Sequence, residues 1–146
     1  MREILFRGKR KDTGEWVEGD LVRLKDGAKA IPHIYGYGEV IPDTVGQFTG
    51  LTDKNGKRIF DGDILRADNG KQTAVLIVKY GDYLPEMFYK MLEMCVPGKR
   101  HLLAYGFYAV SIGKGEEMIL FQSPCAEVIG NIHDNPELLE GDRDGN

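Results

Sequence analysis

Serine, cysteine and histidine are scarce in this chain. Its 146 residues include two cysteines, three histidines and only two serines, Ser111 and Ser123. Neither serine lies in the Gly-x-Ser-x-Gly pattern of a nucleophile elbow, which argues against a serine hydrolase. The cysteines form no CxxC pair and the histidines are isolated, so we expect reduced thiols and no zinc site. The sequence therefore predicts no catalytic, metal-binding or cofactor-binding residues.

Long apolar runs are absent as well. No stretch approaches the roughly 18 apolar residues of a membrane-spanning helix, and the opening residues lack the apolar core of a signal peptide. A soluble, cytoplasmic protein without a membrane partner is expected. A chain of this length can bury a core of its own. One domain over residues 1–133 is predicted, with subdomains 1–70 and 71–133 as the alternative, followed by a C-terminal turn and acidic tail over 134–146.

The charge is unevenly distributed. The formal net charge is −4, and residues 134–146 alone carry five acids against one arginine. Residues 1–11 instead carry five basic side chains against one acid. The basic run is typical of a hairpin tip kept in water, but it also fits an electrostatic footprint for nucleic acid, with Arg2, Tyr35 and Tyr37 nearby. The residues of that alternative site are Arg7, Lys9, Arg10 and Lys11.

Turn signals and alternating apolar residues predict a mainly β fold with minor α content, a short-stranded sheet similar to SH3-like barrels. Residues 16–23 and 59–66 match in residue type and predict a strand–corner–strand unit used twice, bent at Gly19 and Gly62. Asn55 and Gly56 predict a two-residue hairpin turn. The β-branched run over residues 73–80 predicts the centre of the sheet, buried on both faces.

Two further strand predictions depend on single residues. Pro32 falls inside the apolar segment 28–34 and is expected to make it an edge strand or to split it. Gly106 is expected to separate strands over 101–105 and 107–112. Pro136 begins a predicted C-terminal helical turn.

An amphipathic helix is predicted over residues 82–96. Asp82 is its expected N-cap, and the apolar residues recur at helical spacing from Leu84 to Cys95. Such a helix can lie across the sheet and complete the core. A methionine-rich face is also typical of adaptable partner surfaces. The partner-surface residues under that interpretation are Met87, Met91 and Met94.

Three aspartates invite a catalytic interpretation. Asp53, Asp61 and Asp63 lie close together in sequence and could act as paired acid and base. Aspartate and glycine are, however, the residues of which turns are made. We therefore expect these carboxylates to be turn residues.

Long motifs carry a resemblance to a known family. Residues 1–7, 47–57, 60–64 and 128–139 resemble the YopX family of bacteriophage and prophage proteins. The resemblance implies a mainly β protein of a mobile element in a bacterial host cell. It brings no established activity and no catalytic residues. Residues 82–96 depart most from the family pattern.

Two classes of function follow from these observations. The first is a non-enzymatic interaction module that binds a phage or host protein, or a second copy of itself, through an edge strand or the methionine-rich segment. The second is a nucleic-acid-binding accessory factor that uses the basic run. Hydrolase or nuclease chemistry at the three aspartates comes third.

Overall fold

The regular secondary structure of the described part of the chain is almost entirely antiparallel β-strand. The computed structural model describes residues 3–83, 104–120 and 122–140. The strands are β1 (Phe6–Lys9), β2 (Trp16–Gly19), β3 (Leu21–Asp26), β4 (Lys29–Ile34), β5 (Gly38–Glu39), β6 (Gly46–Thr52), β7 (Arg58–Phe60), β8 (Asp63–Asp68), β9 (Thr73–Tyr83), β10 (Ala104–Ser111), β11 (Glu117–Ile119) and β12 (Ala126–Asn131). Two 3-10 turns are Pro42–Thr44 and Pro136–Leu139. The predicted mainly β fold and C-terminal helical turn are confirmed, whereas closure into an SH3-like barrel stays a prediction.

Hydrogen bonding groups these strands into three sheets. Their orders are β2-β1-β6-β7, β3-β4-β5 and β11-β10-β9-β8-β12. β9 is therefore central in the largest sheet, as predicted. Its predicted burial on both faces is wrong, because Leu76 and Val78 on one face are buried. On the other face, Val75 and Ile77 are only partly buried and Lys79 is exposed. An antiparallel sheet can leave one face in water even where its central strand is a nearly continuous apolar run.

The chain divides into two compact units. Unit 1 comprises residues 1–51 and 58–60, and unit 2 comprises residues 52–57 and 61–146. The three-stranded sheet belongs to unit 1 and the five-stranded sheet belongs to unit 2. A buried core cluster of unit 1 is formed by Val17, Ile34 and Val40.

The duplicated motif does form two strand–corner–strand segments, β2 to β3 and β7 to β8. β2 and β7 are the two outer strands of the four-stranded sheet, and after each of them the chain enters a different sheet. The glycines serve different purposes. Gly62 has a φ of 92°, which favours glycine. At Gly19, a Cβ atom would lie 3.0 Å from Ile34 Cγ2, so the close packing against Ile34 leaves little room for a side chain at this position.

The turn between β6 and β7 differs from the predicted two-residue hairpin. The Asp53 N–H donates to Lys57 O at 2.8 Å and the Gly56 N–H donates to Asp53 O at 3.0 Å, which closes a three-residue loop. Gly56, the last residue of this loop, has a positive φ of 82°. Three-residue hairpin loops commonly end on such a glycine.

Pro32 neither splits β4 nor places it at an edge, because β4 lies between β3 and β5. Pro32 is directly opposite Arg23 of β3. Its carbonyl oxygen accepts a hydrogen bond from Val40 N–H at 3.1 Å, on the side of β4 away from β3. The missing N–H therefore removes no bond of the β3–β4 ladder.

The predicted helix over residues 82–96 is wrong at its start. Asp82 is part of β9 and pairs with Tyr105 of β10. Gly81 and Gly106 face each other with φ values of 144° and 150°, so both strands continue through the expected break at Gly106. Residues 84–96, with Met87, Met91 and Met94, lie outside the described residues. No helix in the described ranges is long and apolar enough to cross a membrane.

Candidate functional site

An open groove lies beside β4 in unit 1. β4 pairs with β3 along its whole length, but β5 pairs only with His33 and Ile34. The chain after β5 then turns away at the 3-10 turn Pro42–Thr44. The groove has a volume of about 590 Å³. Its lining residues are Lys11, Asp26, Lys29, Ala30, Ile31, Pro32, Glu39, Ile41 and Pro42.

The groove combines an apolar lining with balanced charge. Five of its nine lining residues are alanine, isoleucine or proline. Two of the charged ones are cationic and two are anionic, so the charged side chains sum to zero. Lys11 Nζ lies 3.0 Å from Glu39 Oε2, and this ion pair is at the surface. A surface of this kind suits a mixed apolar and polar segment better than a polyanion.

Several exposed apolar side chains belong to the stretch of unit 1 that contains β3, β4 and β5. The described ranges contain seven exposed large apolar side chains, and four of them fall between residues 24 and 41. Single apolar residues scattered on a surface are ordinary, and of these four only Ile41 lines the groove. The four are Leu24, Tyr35, Tyr37 and Ile41.

A second concavity adjoins the groove. It has a volume of about 380 Å³ and shares Lys11 and Glu39 with the groove. Tyr37, 48% exposed, lines it together with Arg10 and Asp12. The structure therefore brings Tyr37 close to part of the basic run. The flanking glycines both have positive φ values, 89° and 93°, which hold the tyrosine at the tip of a tight turn.

Arg7 and Lys9, the first half of the basic run, contact aromatic rings of the protein itself. Arg7 is only 8% exposed. Its guanidinium carbon lies 4.7 Å from the ring centroid of Trp16 and 4.8 Å from that of Phe60. Lys9 Nζ lies 5.5 Å from the Trp16 ring. A buried arginine between two aromatic faces stabilises the fold through cation–π contacts and is poorly placed to reach a phosphate.

The second half of the run is paired with carboxylates. Arg10 Nη2 lies 2.9 Å from Asp12 Oδ2, and Lys11 forms the surface ion pair with Glu39. These residues lie at the end of the β1–β2 hairpin, where a hairpin tip was predicted. Nucleic-acid binding by the run stays a prediction. Asp12 and Glu39 offset the positive charges of Arg10 and Lys11.

Asp53 is a structural carboxylate. It is 4% exposed. Its Oδ1 accepts hydrogen bonds from the N–H groups of Asn55 at 2.8 Å and Lys57 at 2.9 Å. Its Oδ2 accepts a third from Val128 N–H at 2.9 Å. Asp53 thus joins the β6–β7 loop to β12 within unit 2, and both of its oxygens are engaged by the backbone.

These contacts perturb the ionisation of Asp53. Burial raises its pKa, but the hydrogen bonds from Val128, Lys57 and Asn55 and the charge of Lys57 outweigh burial, so the pKa is held below its ordinary value. Asp63 is 1% exposed, and Asp61 is half-buried between β7 and β8. Within the described residues, no group of three His, Cys, Asp or Glu side chains could hold a metal ion.

Acid is expected to weaken the fold through Asp53. Because the folded-state pKa is depressed, this contribution is present above the unfolded carboxyl pKa of about 3.9 and is lost as the pH falls through the folded value. An asparagine at position 53 binds no proton. The difference in unfolding free energy between wild type and Asp53→Asn should therefore narrow as the solution is acidified, measured by urea unfolding at a series of pH values. A difference that stays constant into the acid range would contradict this assignment.

The C-terminal motif is also architectural. Asn131 Oδ1 accepts hydrogen bonds from the N–H groups of His133 at 3.0 Å and Asp134 at 2.9 Å. Asn135 Oδ1 accepts one from Asn131 N–H at 3.2 Å. These bonds close the turn that follows β12. The long motif at residues 128–139 therefore specifies a folded turn.

Sequence reasoning missed most of the groove. Its lining comes from five separate stretches between residues 11 and 42, and no local motif connects them. The usable signals were Pro32 and Pro42, since prolines restrict the pairing of neighbouring strands.

Comparisons with known proteins agree with the fold. The family model described as YopX protein matches residues 5–140. The chain is also similar to the crystal structure of protein EF1440 from Enterococcus faecalis, at 22% sequence identity and a TM-score of 0.52, over 96% of this chain and 100% of that chain. At that identity the likeness shows the fold alone. No curated protein matches the chain. Because the family model covers nearly the whole sequence, the chain belongs to the YopX family.

Proposed function

We propose that the protein is a non-enzymatic interaction module of a bacteriophage or prophage, which binds a host or phage protein in the cytoplasm of the bacterial cell. The groove beside β4 carries this proposal. It is open, its lining is largely apolar, and its charges balance. One of its lining residues, Ile41, is an exposed large apolar side chain, and exposed Tyr37 lines the adjoining concavity. Protein partners recognise such surfaces through a buried apolar centre and a polar rim.

The absence of enzymatic activity is part of the proposal. One of the two buried carboxylates in the described ranges, Asp53, has both oxygens hydrogen-bonded to backbone N–H groups. A carboxylate held in this way with a lowered pKa is a weak base. Its contacts support a structural role for the residue.

A second candidate function is binding of single-stranded nucleic acid at the smaller concavity. Tyr37 is exposed there beside Arg10 and Lys11, and exposed aromatic rings near cations are the parts of a base-stacking site. Asp12 and Glu39 line the same concavity and oppose a polyanion. This balance favours the protein partner.

A photo-crosslinking amino acid at position 41 tests the proposal. Ile41 is 38% exposed in the groove, and Ile119, 44% exposed in unit 2, is the matched control position. In phage-infected or lysogenic cells, we expect position 41 to yield a discrete adduct with one partner protein, identified by mass spectrometry, that position 119 does not yield. Co-purification of that partner should be lost in Ile41→Arg and kept in Ile119→Arg.

Three results would count against the proposal. One is the same adducts from both positions, and another is an adduct of two copies of this chain. The third is retention on single-stranded DNA at low salt that disappears in an Arg10→Ala/Lys11→Ala variant, which would favour the second candidate function.

A further inference from the structure

β3 is an open edge strand. It pairs with β4 over all six of its residues, and no other strand in the described ranges pairs with it. Four of its six residues are exposed, from Arg23 to Asp26. An unprotected edge offers a row of N–H and C=O groups to an incoming strand.

The register identifies which backbone groups face outward. The Pro32 carbonyl points away from β3, because it accepts the Val40 N–H. Pro32 and Arg23 are directly opposite, so they form a non-hydrogen-bonded pair. The N–H and C=O groups of Arg23 therefore face the open edge. Ile34, opposite Leu21, also has its carbonyl turned away, toward Tyr37 N–H at 2.9 Å.

The alternation extends this result along the strand. Hydrogen-bonded and non-hydrogen-bonded pairs alternate in an antiparallel ladder, so Leu21, Arg23 and Lys25 all present their backbone groups outward. Two of these three residues are cationic and exposed. A residue of an added strand directly opposite either cation would lie about 5.5 Å away between Cα atoms, within reach of a charged side chain.

The cationic side chains of β3 determine which kind of strand can pair with its open edge. A second copy of this chain, added antiparallel in the register that uses all three positions, would place Arg23 opposite Arg23. Like charges directly opposite each other destabilise a strand pair, whereas opposite charges stabilise it. An acidic strand is thus favoured over a second copy.

We propose that the open edge of β3 binds an extended acidic segment of a partner protein as an added strand, with carboxylates opposite Arg23 and Lys25. This inference rests on the proposed function, since it specifies the chemistry of the partner. Main-chain hydrogen bonds supply the affinity in this mode of recognition, and alternate side chains supply the specificity.

A short fluorescent peptide of alternating glutamate and valine is the probe, and fluorescence polarisation on the full chain is the measurement. We expect Arg23→Glu/Lys25→Glu to weaken binding about tenfold or more. Lys71→Glu/Lys114→Glu is the control, because it makes the same change in net charge at exposed residues of unit 2. It should bind as wild type does. Circular dichroism confirms that both variants are folded.

Peptide chemistry separates strand addition from plain charge attraction. A peptide N-methylated at every glutamate keeps its charge but loses the N–H groups that would pair with β3, so we expect it not to bind. A lysine–valine peptide should not bind either. Equal binding of the N-methylated peptide, equal weakening in the control variant, or no binding of the glutamate peptide would overturn the inference.

The two proposals fail separately. If Ile41→Arg loses partner capture but the peptide does not bind at β3, the proposed interaction module is supported and the binding of an acidic strand is refuted. If peptide binding depends on Arg23 and Lys25 but Ile41→Arg leaves partner capture unchanged, the proposal that the groove binds the partner is refuted.

Discussion

Replacing Asp53 with alanine should lower the free energy of unfolding by about 3 kcal/mol. Asn55, Lys57 and Val128 each donate a backbone N–H to this carboxylate. Alanine leaves these donors without their acceptor at a position that is 4% exposed. Hydrogen bonds to a charged acceptor contribute about 1.5–3 kcal/mol each, and water can replace part of that contribution at Asn55 and Lys57, which are exposed residues. Urea unfolding at neutral pH measures the effect.

Asp68→Ala is the matched control for Asp53→Ala. Asp68 also caps a turn with its carboxylate, which accepts the Gly70 N–H at 2.8 Å, but it is exposed and takes one bond where Asp53 takes three. Water replaces a single exposed bond, so we expect Asp68→Ala to cost under about 1 kcal/mol. Equal losses in the two variants would show that burial and the link to β12 contribute nothing.

Gly130→Ala is expected to cost about 2 kcal/mol. An alanine Cβ at this position would lie 2.5 Å from Asn135 Oδ1. That oxygen holds the Asn131 N–H at 3.2 Å and cannot retreat without giving up the bond. The residue follows an irregularity in the β12–β8 pairing between Val128 and Gly130. Thermal or urea unfolding of the single variant tests the size of the loss.

A double-mutant cycle with Asn135→Ala tests the cause. If the collision is responsible, Gly130→Ala should cost much less in the Asn135→Ala background, because the opposing amide is gone. Additive losses would indicate that glycine is required at this position for some reason other than contact with Asn135.

The sequence predicted elements whose signals are local. The two corners at Gly19 and Gly62, the central strand β9 and the turn begun by Pro136 all follow from residues near one another in the chain. The loop after β6 was mispredicted because its form depends on Asp53, whose carboxylate takes the N–H groups of Asn55 and Lys57. A two-residue turn has no place for that arrangement.

The candidate site depended on longer-range pairing. Pro32 lies inside a sheet because the Val40 N–H donates a hydrogen bond to the Pro32 carbonyl on the side of β4 away from β3. That contact is not visible in the local sequence. Likewise, Arg7 and Lys11 are neighbours of similar charge in sequence, yet one is buried between aromatic rings and the other is paired at the surface. Tertiary packing separates residues that composition alone treats alike.

The division of the chain has a consequence for its inheritance. Backbone passes from one unit to the other at residues 51–52, 57–58 and 60–61. A single recombination breakpoint could not exchange either unit whole between two relatives. It would separate segment 58–60 from the rest of unit 1, or segment 52–57 from the rest of unit 2. Exchange of one whole unit between homologous genes therefore requires breakpoints at all three crossings.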